Sequence, residues 1–182
     1  HLWNAVKVKN YSQEVLEESG LLGFSNNDIY DRFRSRIMFP IWNASGKIIA
    51  FGGRVFGTDD PAKYMNSPET PLYRKSEIFY GLNLTRDAIR KNECAIMVEG
   101  YTDLIQLFQA GIKNVVAVSG TAFTEKHVQQ IRRFSSKVYL AYDGDSAGIK
   151  AALRAGYVLL KGGVDPHVIE IPDGMDPDDW IQ

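Results

Sequence analysis

The chain has 182 residues, 45% of them hydrophobic, and carries 21 basic against 22 acidic side chains. That is enough apolar material for one large or two small domains, and no apolar run reaches membrane-spanning length. The net charge of −1 conceals an uneven split: residues 1–91 hold 13 Lys and Arg against 10 Asp and Glu, residues 92–182 hold 8 against 12, and residues 32–75 hold 8 against 3.

The opening HLWNAVKVKN is no signal peptide and lacks an initiator Met, so the chain reads as a piece of something longer. Residues 14–22 (EVLEESGLL) predict a short helix ending at Gly20. Residues 36–42 (RIMFPIW) and 47–51 (KIIAF) predict two strands joined by the turn NASG, an antiparallel hairpin. Gly52-Gly53-Arg54 continues the second strand and leaves room for another group to approach the backbone. Residues 57–76 are rich in turn formers and read as irregular, although Tyr64, Met65 and Tyr73 argue against disorder. Residues 82–93 read as a connecting helix, and the boundary between two domains, 1–91 and 92–182, is placed there.

From residue 95 onward, strands and helices alternate. AIMVE (95–99) is an apolar run ending in Glu99 and Gly100. The helix that follows places Leu104, Leu107 and Phe108 on one face and stops at Gly111. NVVAV (114–118) is a second strand, and Thr124 caps a helix carrying Val128 and Ile131. KVYLAY (137–142) is a third strand running into Asp143. Ser146 is read as the cap of a helix with Ile149, Ala152, Leu153, Gly156 and Leu160 at helical spacing. HVIEI (167–171) is the fourth strand, followed by PDGMDPDD. This order predicts an α/β fold, a parallel sheet with helices on both faces, preceded by a smaller mixed α+β basic subdomain.

Such sheets place their sites at the carboxyl ends of the strands, where Glu99, Asp143 and the aspartates after Ile171 all fall. In extended backbone Asp143 and Asp145 would point the same way and raise each other's pKa unless a cation compensates. Asp103 stands in the first turn of a helix, where favourable placement in the helix dipole explains it nearly as well as a functional role. Asp176, Asp178 and Asp179, taken singly, are an ordinary acidic turn. One cysteine, Cys94, excludes an internal disulfide, suits a reducing compartment and, with three histidines, leaves no zinc-ligand pattern. Carboxylates from three strand ends therefore form an oxygen-only set suited to Mg²⁺ or Mn²⁺. Such a site handles phosphoryl transfer when cations such as Arg54, Lys63 and Lys75 neutralise phosphate charge.

EGYTD, AVSGTAFT, YDGDSAG and PDGMDPD resemble the motifs of a toprim (Rossmann-like) domain. RFRSRIMFPIWNASGKIIAFGGR and KYMNSPETPLYRKSEIFYGL resemble the basic amino-terminal part of the RNA-polymerase core in bacterial DnaG-type primases. The resemblance covers nearly the whole chain, more weakly before Asp31. It implies metal-dependent nucleotidyl transfer that makes short RNA primers on single-stranded DNA, with Glu99, Asp143 and Asp145 as the catalytic, metal-binding carboxylates. Asp176 and Asp178 match further metal positions and Asp103 a supporting acidic one. Arg54, Lys63, Asn66 and Lys75 match nucleotide- and template-contacting positions, with a small insertion between Gly57 and Lys63.

The resemblance further implies two or more Mg²⁺ or Mn²⁺ ions and no zinc in this fragment. Its implied partners are single-stranded DNA and ribonucleoside triphosphates, with replicative helicase and single-strand-binding protein engaged through regions absent here. A bacterial cytoplasmic location, no membrane contact, a monomeric state and little or no activity of the fragment alone complete the expectation. Rival readings are another toprim enzyme of nuclease or topoisomerase type, a haloacid-dehalogenase-type phosphatase, and a non-catalytic nucleic-acid-binding toprim module. No nucleophilic-tyrosine domain is visible for a topoisomerase. The phosphatase reading is disfavoured because Ser146 follows the second Asp and an acidic strand precedes the pair.

Overall fold

The computed structural model describes residues 2–25, 28–120 and 122–181. The chain folds into two compact units, one of His1–Ile41 with Ile48–Arg74, the other of Trp42–Lys47 with Lys75–Gln182.

The first unit opens with two short helices, α1 (Leu2–Lys7) and α2 (Gln13–Glu18). Ser12 caps α2 by accepting the Val15 N–H, so the helix predicted over 14–22 is shorter and ends before Gly20. The Asp31 carboxylate takes the N–H groups of Leu2 and Trp3 at 2.8 and 2.7 Å, answering donors that the start of α1 leaves without helical partners. β1 (Leu22–Ser25) and β2 (Asp28–Asp31) form an antiparallel pair that residue patterning did not reveal.

β3 (Arg36–Trp42), β4 (Ile48–Val55) and β5 (Tyr64–Asn66) make a three-stranded sheet in that order. The predicted hairpin is present. Its turn is held by the Asn43 side chain, which accepts from the N–H groups of Ser45 and Lys47, and Gly46 supplies the positive φ of 79°. The stretch 57–76 is not irregular throughout, because β5 pairs antiparallel with β4 in the register Gly52↔Asn66 and Arg54↔Tyr64.

In the second unit a 3-10 turn (Lys75–Glu77) leads to α3 (Leu82–Asn92), which buries Leu82, Thr85 and Ile89. The remaining elements are β6 (Ala95–Val98), α4 (Tyr101–Gln109), β7 (Val115–Ala117), α5 (Glu125–Ile131), β8 (Lys137–Leu140), α6 (Ser146–Lys161), β9 (Asp165–Val168) and α7 (Pro177–Ile181). The sheet is parallel throughout, in the order β7-β6-β8-β9. Met97, Val116, Val138 and Leu140 are withdrawn from water in its core, with Leu159 of α6 and Ile131 of α5 packed against them. Two-sided burial explains why these strands read as unbroken apolar runs.

The fourth strand lies two residues earlier than HVIEI suggests, because Lys137↔Asp165 opens its register with β8. The cap of α6 is Asp145 rather than Ser146: its Oδ1 accepts the N–H groups of Ala147 and Gly148 at 2.9 and 2.7 Å. The buried face of α6 is Gly148, Ala152, Ala155, Gly156 and Leu159, while Ile149, Leu153 and Leu160 are exposed. Small residues allow close approach of this helix to the sheet. Among the described residues no helix is long and apolar enough to cross a membrane.

Candidate metal centre

Each acidic side chain is delivered by the stretch that follows a strand of the parallel sheet. Glu99 follows β6 directly, and its backbone carbonyl accepts the Ser119 N–H at 2.9 Å, which ties it to the loop after β7. Ser119 holds a left-handed φ of 55°, a conformation uncommon outside glycine. Asp103, on the first turn of α4, accepts the Gly100 N–H at 2.8 Å and so closes the helix start. Asp143 and Asp145 flank Gly144 in the loop between β8 and α6. They are not paired on one face of extended backbone, since β8 has ended at Leu140. Asp145 instead draws compensation from the amino end of α6, where unpaired N–H groups and the helix dipole favour an anion.

Two glycines make this loop possible. A Cβ at Gly144 would lie 2.3 Å from the Pro172 carbonyl oxygen, and one at Gly148 would lie 2.2 Å from the Asp143 carbonyl oxygen. The Gly144 N–H donates to the Met175 carbonyl at 2.9 Å, so the loop carrying Asp143 and the loop carrying Asp176 are bonded to each other. Asp176 Oδ1 then accepts the Asp179 N–H at 2.7 Å at the start of α7, which packs on α4.

The carboxylates feel one another. Burial first, then Asp143, Asp103 and Asp145, raise Glu99 to about 7, against the pull of the Asp143 backbone N–H. Burial raises Asp103 to about 6, reinforced by Asp143, Asp176 and Asp178, while the Gly100 N–H opposes the shift. Asp143 is raised by burial, then by Asp176 and Asp145. The six predicted acidic positions are thus brought into one electrostatic neighbourhood. Oε1 of Glu99 is buried without a hydrogen-bond partner among the described residues, an expensive arrangement for a carboxylate. Among those same residues no three Asp, Glu, His or Cys side chains stand close enough to grip an ion directly. An all-oxygen donor set with one orphaned buried oxygen fits a hard divalent cation.

Of the positions expected to contact nucleotide and template, Arg54, Lys63 and Asn66 belong to the first unit and Lys75 to the second. Arg54 lies with its guanidinium 5.8 Å from the Tyr64 ring centroid, Lys63 is exposed, and Asn66 closes the β4–β5 register. Lys75 opens the 3-10 turn. The residues that inspection of the motifs overlooked are the supports. Gly144 and Gly148 are legible only as the G of DGD and of SAG, and Ser119 only as the close of an apolar strand. Thr121 of the AVSGTAFT motif lies outside the described residues.

A parallel sheet with mutually repelling carboxylates at its carboxyl ends defines a toprim-type domain, and residues 96–181 match the family model described as Toprim-like. Residues 1–86 match the model described as DNA primase catalytic core, N-terminal domain. The chain belongs to the DnaG-type DNA primase family, as a central part of its catalytic core. A DNA primase of Staphylococcus aureus (strain COL) is 45% identical over 178 residues, which are 97% of this chain and 30% of the relative. The chain therefore spans about 30% of the length of such curated relatives. The solved Aquifex aeolicus primase (zinc-binding and RNA polymerase domains) superposes with a TM-score of 0.90 at 39% identity, covering 99% of this chain and 45% of that one. A DnaG primase catalytic domain solved bound to ssDNA gives 0.85 at 39% identity, covering 97% and 59%. Membership of the toprim and primase families implies dependence on a divalent metal in general terms.

Proposed function

We propose that this chain carries the nucleotidyl-transfer centre of a DNA primase, joining ribonucleotides on a single-stranded DNA template. The observation that carries the reading is the set of six coupled carboxylates around the buried, unpartnered Glu99 oxygen. Glu99, Asp143 and Asp145 would hold Mg²⁺ or Mn²⁺, with Asp176 and Asp178 as further ligands and Asp103 in support. Two or more ions bound there would activate a 3′ hydroxyl and neutralise the leaving pyrophosphate.

The chain's own residues do the rest. Asp145 presents one oxygen to the α6 amino end, which fixes the carboxylate and leaves the other oxygen for a cation. Gly100 anchors Asp103, and the bonded loops keep Asp143 and Asp176 in register. Arg54, Lys63, Asn66 and Lys75 bind triphosphate and template backbone, the three cations supplying positive charge where negative charge accumulates and Asn66 an amide hydrogen bond. The division into a basic subdomain over 1–91 and a toprim domain over 92–182, ribonucleoside triphosphates as substrates, contacts to helicase and single-strand-binding protein through other parts of the enzyme, and a cytoplasmic place of work belong to the same proposal. A toprim nuclease or a non-catalytic toprim module is less well supported, since the primase-type amino-terminal match extends over residues 1–86.

Titration calorimetry with Mn²⁺ in the presence of a nucleoside triphosphate tests the centre. Asp143→Asn is expected to weaken binding sharply, because it removes charge from the middle of the cluster. Manganese affinity unchanged in that variant would overturn the assignment.

A further inference from the structure

The loop between β4 and β5 is held from below by a buried arginine that no motif singles out. Arg36, on β3, keeps only 1% of its side chain exposed. Its Nη2 meets Asp60 Oδ2 at 2.5 Å, and its Nη1 donates to the carbonyls of Ala62 at 2.8 Å and Gly53 at 3.3 Å. Asp60 Oδ1 in turn accepts the Ala62 N–H at 2.8 Å. One guanidinium fork thus joins a strand carbonyl, the loop carboxylate and the carbonyl immediately before Lys63. Burying a guanidinium is costly unless such bonds satisfy it, so the loop and the arginine hold each other in place.

Sheet geometry shows what this achieves. Paired and alternate residues share a face, so Arg54, Tyr64 and Asn66 lie on one side of the β4–β5 ribbon, while Gly53 belongs to the other. On Gly53's side, a Cβ would come within 2.9 Å of the Phe33 ring and 3.1 Å of Arg36 Cδ, which is why glycine stands there. The room expected at Gly53 is therefore filled by Phe33 and Arg36. At the loop's far end the Val55 N–H donates to the Lys63 carbonyl at 2.9 Å, so Lys63 is pinned on both sides, by Val55 at its own carbonyl and by Arg36 at its neighbour's.

We propose that Arg36 and Asp60 form a positioning clamp that fixes the backbone of the exposed Lys63 at the entry to β5 for contact with nucleic-acid phosphate, a role that rests on the reading of Lys63 given above. Neither Arg36 nor Asp60 touches the substrate. Both act through the backbone of Ala62 and Lys63.

The sign of one substitution separates this role from simple electrostatics. Removing an acidic side chain near a polyanion site ordinarily tightens binding, whereas releasing the clamp weakens it. Fluorescence anisotropy of the chain with a labelled single-stranded DNA oligomer, over a series of salt concentrations, reads the difference. Lys63→Ala is expected to weaken binding about fivefold and to lower the salt slope by about 1. Asp60→Ala is expected to weaken it about threefold, Asp59→Ala to leave it unchanged or slightly tighter, and Asp60→Ala/Lys63→Ala to match Lys63→Ala alone. Arg36→Lys, which keeps the charge and loses the fork, is expected to behave like Asp60→Ala. If Lys63→Ala weakens binding while Asp60→Ala binds as tightly as the parent or tighter, the clamp is wrong and the reading of Lys63 stands. Additive losses in the double variant would equally overturn it, since Asp60 would then act by another route. If Lys63→Ala binds like the parent, the assignment of Lys63 fails and the clamp falls with it.

Discussion

In the second unit Met97, Val138, Leu140 and Leu159 are wholly withdrawn from water within one continuous apolar core, while the buried apolar side chains described in the first unit are Leu22, Phe39, Ile41, Ala50 and Tyr73. The first unit compensates with polar fasteners: Asp31 on the start of α1, Ser67 paired with β4 and Arg36 beneath the β4–β5 loop. The contrast shows two ways to hold charged groups steady. The parallel sheet offers a rigid floor on which strand ends carry repelling carboxylates. The small antiparallel sheet lacks that floor and ties the loop that carries Lys63 down bond by bond.

The largest effect should come from the floor. Leu140→Ala removes a fully buried side chain from the sheet core and should cost about 4 kcal/mol in urea denaturation. A loss under about 1 kcal/mol would show that the core is less continuous than described.

A pH series sharpens the comparison next. His127, on α5, is fully buried; its Nδ1 accepts the Thr124 N–H at 3.2 Å and its Nε2 faces the Ile78 carbonyl at 3.4 Å. Burial chiefly lowers it to about 4, against the Ile78 and Lys75 carbonyls and Glu77. Between pH 4 and 6.5 the unfolded chain then binds more protons than the folded one, so this group's contribution falls as the solution is acidified through that window. The loss should reach about 3 kcal/mol and be absent in His127→Gln, as read from melting temperature against pH in both proteins.

In the first unit Ser67, 1% exposed, accepts the Phe51 N–H at 3.1 Å. Ser67→Ala leaves that donor without its partner and should cost about 1–2 kcal/mol in the same denaturation assay, more than a serine normally contributes to a core. No loss would mean that the fasteners are ornamental and that the first unit rests on apolar contacts after all.

The smallest effect has the opposite sign. With Glu99 raised to about 7, the metal-free folded state keeps a proton that the unfolded state has shed above pH 4.5, so stability from this group declines as pH rises from 4.5 through 7. Glu99→Gln should therefore melt slightly higher than the parent at pH 7.5 without metal, and should lose the rise in melting temperature that added Mn²⁺ gives the parent. A lower melting point without metal would indicate that Glu99 supports the fold rather than strains it.

Much of the second unit could be read from residue patterns because β6, β7 and β8 are buried on both faces and leave uninterrupted apolar runs. β9 was displaced by two residues since the exposed Asp165 and the proline after it do not look like a strand beside the more apolar HVIEI. Asp145 and Ser146 are both good caps, and only the backbone decides between them. The acidic positions were visible because chemistry repeats along the chain. Their supports were not: the orphaned Glu99 oxygen, the contact of Gly144 with Pro172 and the reach of Arg36 to Ala62 join residues far apart in sequence, and no local pattern encodes them.

Gly144 carries no functional group, yet nothing larger fits against the Pro172 carbonyl. Every missense change at its codon introduces a side chain, so a saturation mutagenesis screen should score this position as intolerant as the aspartates on either side. Genetic data alone would then rank three consecutive residues alike. The middle one is a spacer, and its variants should be separable from the others by what they lose first: the join between two loops, with the carboxylates themselves still in place.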